Sequence, residues 1–203
     1  MLTFKRALLV GVLAALTAGF AAGAAAAATI APVGPINMRG NVLQTLTVLS
    51  TGKTYTCIWN LNGRVLVPQV ALGLPLTPIG GIENATVTCN EPGVVVQPLV
   101  SPLGTLPGPW TIDLTTVLGL PAPFGALVTF LNVRFQLTDP NLGFRCLYTG
   151  TLGVLIQNGN PVANLLASNF FATPQPGDTC PAGLQLRKGP GTYTLAPPIF
   201  IGP

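Results

Sequence analysis

Proline and glycine decide what this chain can become. Beyond Ala28 it carries all 21 of its Pro and 21 of its 24 Gly, about a quarter of the 175 residues there. Proline lacks a backbone donor and clashes in a helix interior, and glycine gives up the most conformational freedom on ordering. No interval between these breakers holds an apolar stripe of helical spacing over about 12 residues. Short β-branched and aromatic runs bounded by turn residues recur instead, as all-β chains require.

The clearest run is 126–138. There Leu127, Thr129, Leu131, Val133, Phe135 and Leu137 alternate with Val128, Phe130, Asn132, Arg134, Gln136 and Thr138. Its second half is apolar on one face and polar on the other. Asp139-Pro140-Asn141 then turns, and 142–148 returns as a hairpin partner. Further strands are expected at 42–50, 53–59, 64–67, 85–89, 93–97, 110–116, 151–157, 164–171 and 192–195, with one helical turn over 162–167 as an alternative reading. About ten short strands in this length predict an antiparallel β-sandwich or a small barrel. The stretch 99–109 is the one linker candidate, either a subdomain break or a crossing between sheets.

The first 28 residues have a different character. Lys5-Arg6 closes a short basic region, Ala7 to Ala22 is uncharged and apolar, and Ala24 to Ala28 supplies Ala-x-Ala. This is the pattern of an export signal. Cleavage is expected after Ala28, with Ala24 to Ala26 as alternatives, leaving a single secreted domain over 29–203. The competing reading is a retained membrane anchor; after cleavage no stable span is expected. No Cys follows the apolar core to carry a lipid, and no twin Arg appears. Leu74-Pro75-Leu76-Thr77-Pro78 resembles a wall-sorting signal only superficially, since no apolar tail follows it.

Export permits disulfides. Of three pairings open to Cys57, Cys89, Cys146 and Cys180, two bridges of near-equal span, 57–89 and 146–180, fit the local contexts. Tyr55-Thr56-Cys57-Ile58-Trp59 and Phe144-Arg145-Cys146-Leu147-Tyr148 each flank the thiol with aromatics two residues away, and Cys89 and Cys180 each head a Pro/Gly turn. The aromatics beside the sulfurs are expected to pack in the core.

Several chemistries are excluded outright. The chain has no His and only three Ser, Ser50, Ser101 and Ser168. Triads built on imidazole and His-ligated zinc are therefore absent, and no metal or cofactor site is expected. Beyond Ala28 the basic residues are Arg39, Lys53, Arg64, Arg134, Arg145, Arg187 and Lys188, scattered rather than striped, so no nucleic-acid partner is expected. Ser50-Thr51-Gly52-Lys53 fits Ser-x-x-Lys, and Gly52-Lys53-Thr54 echoes a phosphate loop. Gly52 among β-branched neighbours predicts a hairpin turn instead of the helix that Ser-x-x-Lys needs, and the phosphate loop fails because Thr47 stands where its first Gly is required. Asn84-Ala85-Thr86 is a glycosylation sequon, informative only in a eukaryotic secretory host. A glycoside hydrolase needs two carboxylates about 5–10 Å apart. The supply is Glu83, Glu91, Asp113, Asp139 and Asp178, of which Asp139 and Asp178 are placed to cap their own turns.

Cys146-Leu147-Tyr148-Thr149-Gly150-Thr151-Leu152-Gly153 is followed by Asn160-Pro161-Val162-Ala163, Cys180-Pro181-Ala182-Gly183-Leu184, Gly191-Thr192-Tyr193-Thr194-Leu195 and Pro198-Ile199-Phe200-Ile201, with Pro109-Trp110-Thr111-Ile112 upstream. In these runs, mainly in its C-terminal half, the chain resembles a set of small exported actinobacterial proteins of unassigned function. The resemblance implies an extracellular all-β fold and no activity.

The expected function is a non-catalytic structural or interaction protein, secreted to the cell envelope or the extracellular space. The alternative is a carrier of an apolar small ligand, and a glycoside hydrolase is the third reading. From Cys146 to Gly177 the chain has no charged side chain. Within that gap Asn164, Leu166, Phe170 and Phe171 are expected either to fill the core or to form a contact surface for an envelope component, a sister chain or an apolar ligand.

Overall fold

Alternating side chains make strands, and strands with an apolar face must cover it. The computed structural model of the protein describes residues 27–41, 43–71, 78–119, 124–173, 175–180 and 185–202. Residues 1–26 of the expected export signal, 74–77 and the turn at 181–184 lie outside the described residues. Among those described there are fifteen strands and no helix: β1 (Ala27–Ala31), β2 (Gly34–Gly40), β3 (Gln44–Val48), β4 (Thr54–Val65), β5 (Gln69–Ala71), β6 (Pro78–Cys89), β7 (Val95–Pro98), β8 (Trp110–Leu118), β9 (Gly125–Asp139), β10 (Phe144–Gln157), β11 (Val162–Leu165), β12 (Ser168–Ala172), β13 (Gln185–Lys188), β14 (Gly191–Ala196) and β15 (Phe200–Gly202).

The pairings close on themselves. β4 pairs with β6, β6 with β8, β8 with β9, β9 with β10, β10 with β11, β11 with β14, β14 with β2, and β2 again with β4, all antiparallel. Alongside it β10 also pairs with β12, β12 with β13, β13 with β3, and β3 with β4. Consecutive short strands thus share one position in the ring, as β2 with β3, β11 with β12 and β13 with β14. The fold is a sandwich whose two layers are hydrogen-bonded to each other along both edges, a closed barrel that leaves few free edges to recruit another strand. β7 and β8, on either side of 99–109, both pair with β9, so that segment leaves and rejoins one sheet.

Several expected strands merge and one divides. The runs at 142–148 and 151–157 are one strand, β10, which with β9 forms the longest hairpin. The run at 164–171 splits into β11 and β12, and 162–165 is extended, not helical. β9 departs from the simple alternation. Asn132 takes a positive φ of 58°, and the pairing with β10 slips between Gly150 and Leu152. One extra residue reverses the facing of everything before it. Ala126, Val128 and Phe130 therefore point inward along with Val133, Phe135 and Leu137, while Leu127 and Leu131 turn outward.

The interior is aromatic at its centre. Phe135 sits edge-on to Trp59 and Phe170, at 5.3 and 5.0 Å between ring centroids, and stacks on Tyr148 at 5.7 Å. Tyr55, Trp59 and Tyr148 are all buried, as expected of the aromatics beside the sulfurs. Both bridges are present. Cys57–Cys89 joins register partners on β4 and β6, whereas Cys146–Cys180 ties β10 to the loop beyond β12. The matching local contexts thus serve different geometries. At one end a second sheet, β15–β1–β5, lies over the barrel mouth and contributes Ile30 and Ile201 to its apolar filling. The Asn158 side chain fastens β15, donating to the Ile201 carbonyl and accepting from its N–H at 2.8 Å each.

Candidate functional site

The most unusual chemistry lies inside. In β13, Leu186 and Lys188 share the inward face while Gln185 and Arg187 point out. Lys188 is 0% exposed. Its Nζ donates to Gln44 Oε1, and the Tyr193 hydroxyl donates to the same oxygen at 3.2 Å. Gln44 and Tyr193 are equally sealed, and Lys188 Nζ stands 5.7 Å from the centre of the Trp59 ring. Gln44 Nε2, Trp59 Nε1 and Tyr148 Oη have no hydrogen-bond partner among the described residues. Glycines permit this approach. A Cβ on Gly191 would fall 2.8 Å from Gln44 Cγ, and one on Gly189 would strike the Thr45 hydroxyl. Burial pushes the Lys188 amine down to about 7 and the Tyr193 phenol up. The cluster holds an amine, a carboxamide and a phenol in direct contact, out of reach of external substrates.

A second polar pair closes one end. The Tyr55 hydroxyl donates to Asp139 Oδ2 at 2.6 Å, and Asp139 Oδ1 accepts from the N–H groups of Asn141 and Leu142 at 2.8 and 3.2 Å. Burial works to raise the Asp139 carboxyl, but the hydrogen bonds from Tyr55, Leu142 and Asn141 outweigh it and hold the group below the usual carboxylate range. Burial, helped by the same hydrogen bond, raises the Tyr55 phenol. Asp139 caps its turn as the sequence implies, and Asp178 does the same, accepting from Gln175 N–H at 3.0 Å and pairing with Arg145. Glu91 pairs with Lys53, which stands beside the β3–β4 hairpin turn and on no helix. Asp113 is buried with one oxygen unpartnered, and burial raises its carboxyl. Among the described residues no cluster of three or more His, Cys, Asp or Glu side chains could hold a metal ion.

At the barrel end covered by the small sheet is a void of about 20 Å³, walled by apolar side chains including Met38, Leu114 and Phe130. A pocket for an organic ligand needs roughly 300 Å³ or more. Outside, a groove of about 550 Å³ crosses β2, β4 and β6. Asn37, Asn62 and Asn84 line it in one cross-strand row, with Arg64 and Glu83 beside them.

The four residues expected either to fill the core or to form a contact surface divide between the two. Phe170 is 0% exposed and fills the aromatic core, so it is no part of an exposed surface. Phe171 and Leu166 are 55% and 41% exposed, and Asn164 is half-buried. Strand alternation separates Phe170 from Phe171. Sequence reading missed the Lys188 cluster, although adjacent Arg187 and Lys188 in a strand must face opposite sides.

Compared with known proteins, the chain matches no family model, no curated protein and no solved structure.

Proposed function

We propose that the protein is a secreted, non-catalytic structural or interaction module of the bacterial envelope or extracellular space, working through its outer surface. One observation carries this reading: the barrel is closed and stapled by two disulfides, and among the described residues its apolar interior holds a void of only about 20 Å³ and its polar side chains are sealed from solvent. Bridges of this kind persist in oxidising compartments. No helix among the described residues is long and apolar enough to cross a membrane. On the outward face of β4, Thr54, Thr56, Asn60, Asn62 and Arg64 are polar and Ile58 is apolar, so this strand carries no continuous apolar band of the kind a membrane-spanning barrel presents. Leu166 and Phe171 are the outward apolar groups proposed to meet an envelope component or a second copy.

β1 refines the export reading. Its register begins with Ala27 opposite Ala71, and Ala28 is buried. Cleavage after Ala28 removes two paired residues, whereas cleavage after Ala24, Ala25 or Ala26 leaves the strand whole. Fractionation of a producing bacterium, with N-terminal sequencing and thiol counting, tests the proposal. The expected chain lies outside the cytoplasm, starts between residues 25 and 27 and carries no free thiol. A reduced cytoplasmic protein would overturn the function, and an exported chain starting at Thr29 would overturn the cleavage position alone.

A further inference from the structure

We propose that Lys188 and Gln44 join without an external enzyme into an isopeptide bond, Lys188 Nζ to Gln44 Cδ with loss of ammonia, tying β13 to β3 inside the barrel. The reaction needs an uncharged amine touching a carboxamide, a hydrogen-bond donor on the carbonyl oxygen, and a dry site. All are present. Lys188 Nζ lies against Gln44 Oε1, the Tyr193 hydroxyl donates to that oxygen, and all three side chains are fully buried. Burial among Trp59 and Leu46 favours the neutral amine, the nucleophilic form, and keeps the Tyr193 phenol protonated as a donor. Gln44 Nε2, the leaving nitrogen, has no hydrogen-bond partner among the described residues.

The step balances without an oxidant or co-reactant. The Nζ lone pair attacks Cδ, the Nζ–Cδ bond forms, and the carbonyl π pair moves onto Oε1, where the Tyr193 O–H stabilises it. A proton passes from Nζ to Nε2. The carbonyl re-forms, Cδ–Nε2 breaks, and ammonia leaves: amine plus carboxamide gives secondary amide plus ammonia. An amine is a poor nucleophile toward an amide in water. Fixed contact supplies effective concentrations of about 10⁵–10⁸ M in well-oriented intramolecular cases. The partners lie 144 residues apart in sequence, so only the folded barrel brings them together. The inference stands independently of the proposed export, because it rests on the interior alone.

Mass spectrometry of the full folded chain decides it. The expected intact mass, disulfides allowed for, lies about 17 Da below that of the sequence, the mass of one ammonia. Digestion should yield a branched peptide joining the segments of Gln44 and Lys188. Gln44→Ala and Lys188→Arg should each restore the full mass, and Tyr193→Phe should slow cross-linking by about 10²-fold in freshly refolded protein, as removal of one oxyanion donor does. The wild-type measurement does not depend on any variant folding. A wild-type chain of full mass, with both peptides unmodified, would overturn the proposal, as would a loss of ammonia mapped to any other residue.

Discussion

Tyr55 and Asp139 stand 84 residues apart in sequence and share a buried hydrogen bond that closes the turn end of the barrel. Asp139→Ala removes the acceptor of Tyr55 and of two backbone N–H groups, and should cost about 2–4 kcal/mol. Lys53→Ala breaks a partly exposed ion pair and should cost about 0–1 kcal/mol. The pH dependence has a definite sign. Asp139 titrates lower in the fold than in the unfolded chain, so its contribution is full above the unfolded value of about 3.9 and fades as pH falls through the lowered folded value. Thermal melts from neutral to acid pH should show the gap between wild type and Asp139→Ala shrinking only below about pH 4; a gap indifferent to acid contradicts the assignment. The turn cap was legible in Asp139-Pro140-Asn141, because a short acidic side chain bonds its own local backbone. The Tyr55 partnership was not, since nothing local links β4 to the end of β9. Lys188 falls between these cases. Alternation through Gln185, Leu186, Arg187 and Lys188 assigns its inward facing, but the residues it meets there come from β3 and β14.

Alternation also governs what single elements reveal. The second half of β9 carried its facing openly, with Val133, Phe135 and Leu137 against Arg134, Gln136 and Thr138. The first half was hidden by the extra residue at Asn132, whose left-handed backbone is a conformation that Asn tolerates better than most side chains. β12 gives a direct comparison of neighbours. Phe170 packs edge-on to Phe135, and Phe171 faces outward. Phe170→Ala should cost about 3–5 kcal/mol, as truncations of buried aromatics do, while Phe171→Ala should change stability by about 0.5 kcal/mol or less. Equal losses in chemical denaturation would mean that the strand is turned over or that both rings are covered. The two bridges were readable from spacing and flanking aromatics, because a strand that buries its Cys also buries the residues two positions away. Their different settings were not readable, since one joins paired strands and the other a strand to a loop.

At the scale of the molecule, the abundance of Pro and Gly and the short alternating runs pointed to an all-β fold, while ring closure lay beyond local pattern. Closure depends on β2 meeting β4 and on β14 bridging β11 to β2, pairings between strands that are not neighbours in the chain. Closure is also what gives the protein its character. Among the described residues the apolar interior holds a void of only about 20 Å³, and the proposed function, which works through the outer surface, stands on that. Native mass spectrometry of the chain purified under mild conditions from the host that exports it tests this most directly. The account predicts the mass of the cross-linked, disulfide-bonded polypeptide, or whole multiples of it, with no organic small molecule retained at any gentle desolvation energy. A stoichiometric apolar ligand released only on unfolding would contradict it, because the barrel would then have to open a chamber many times larger than its void of about 20 Å³.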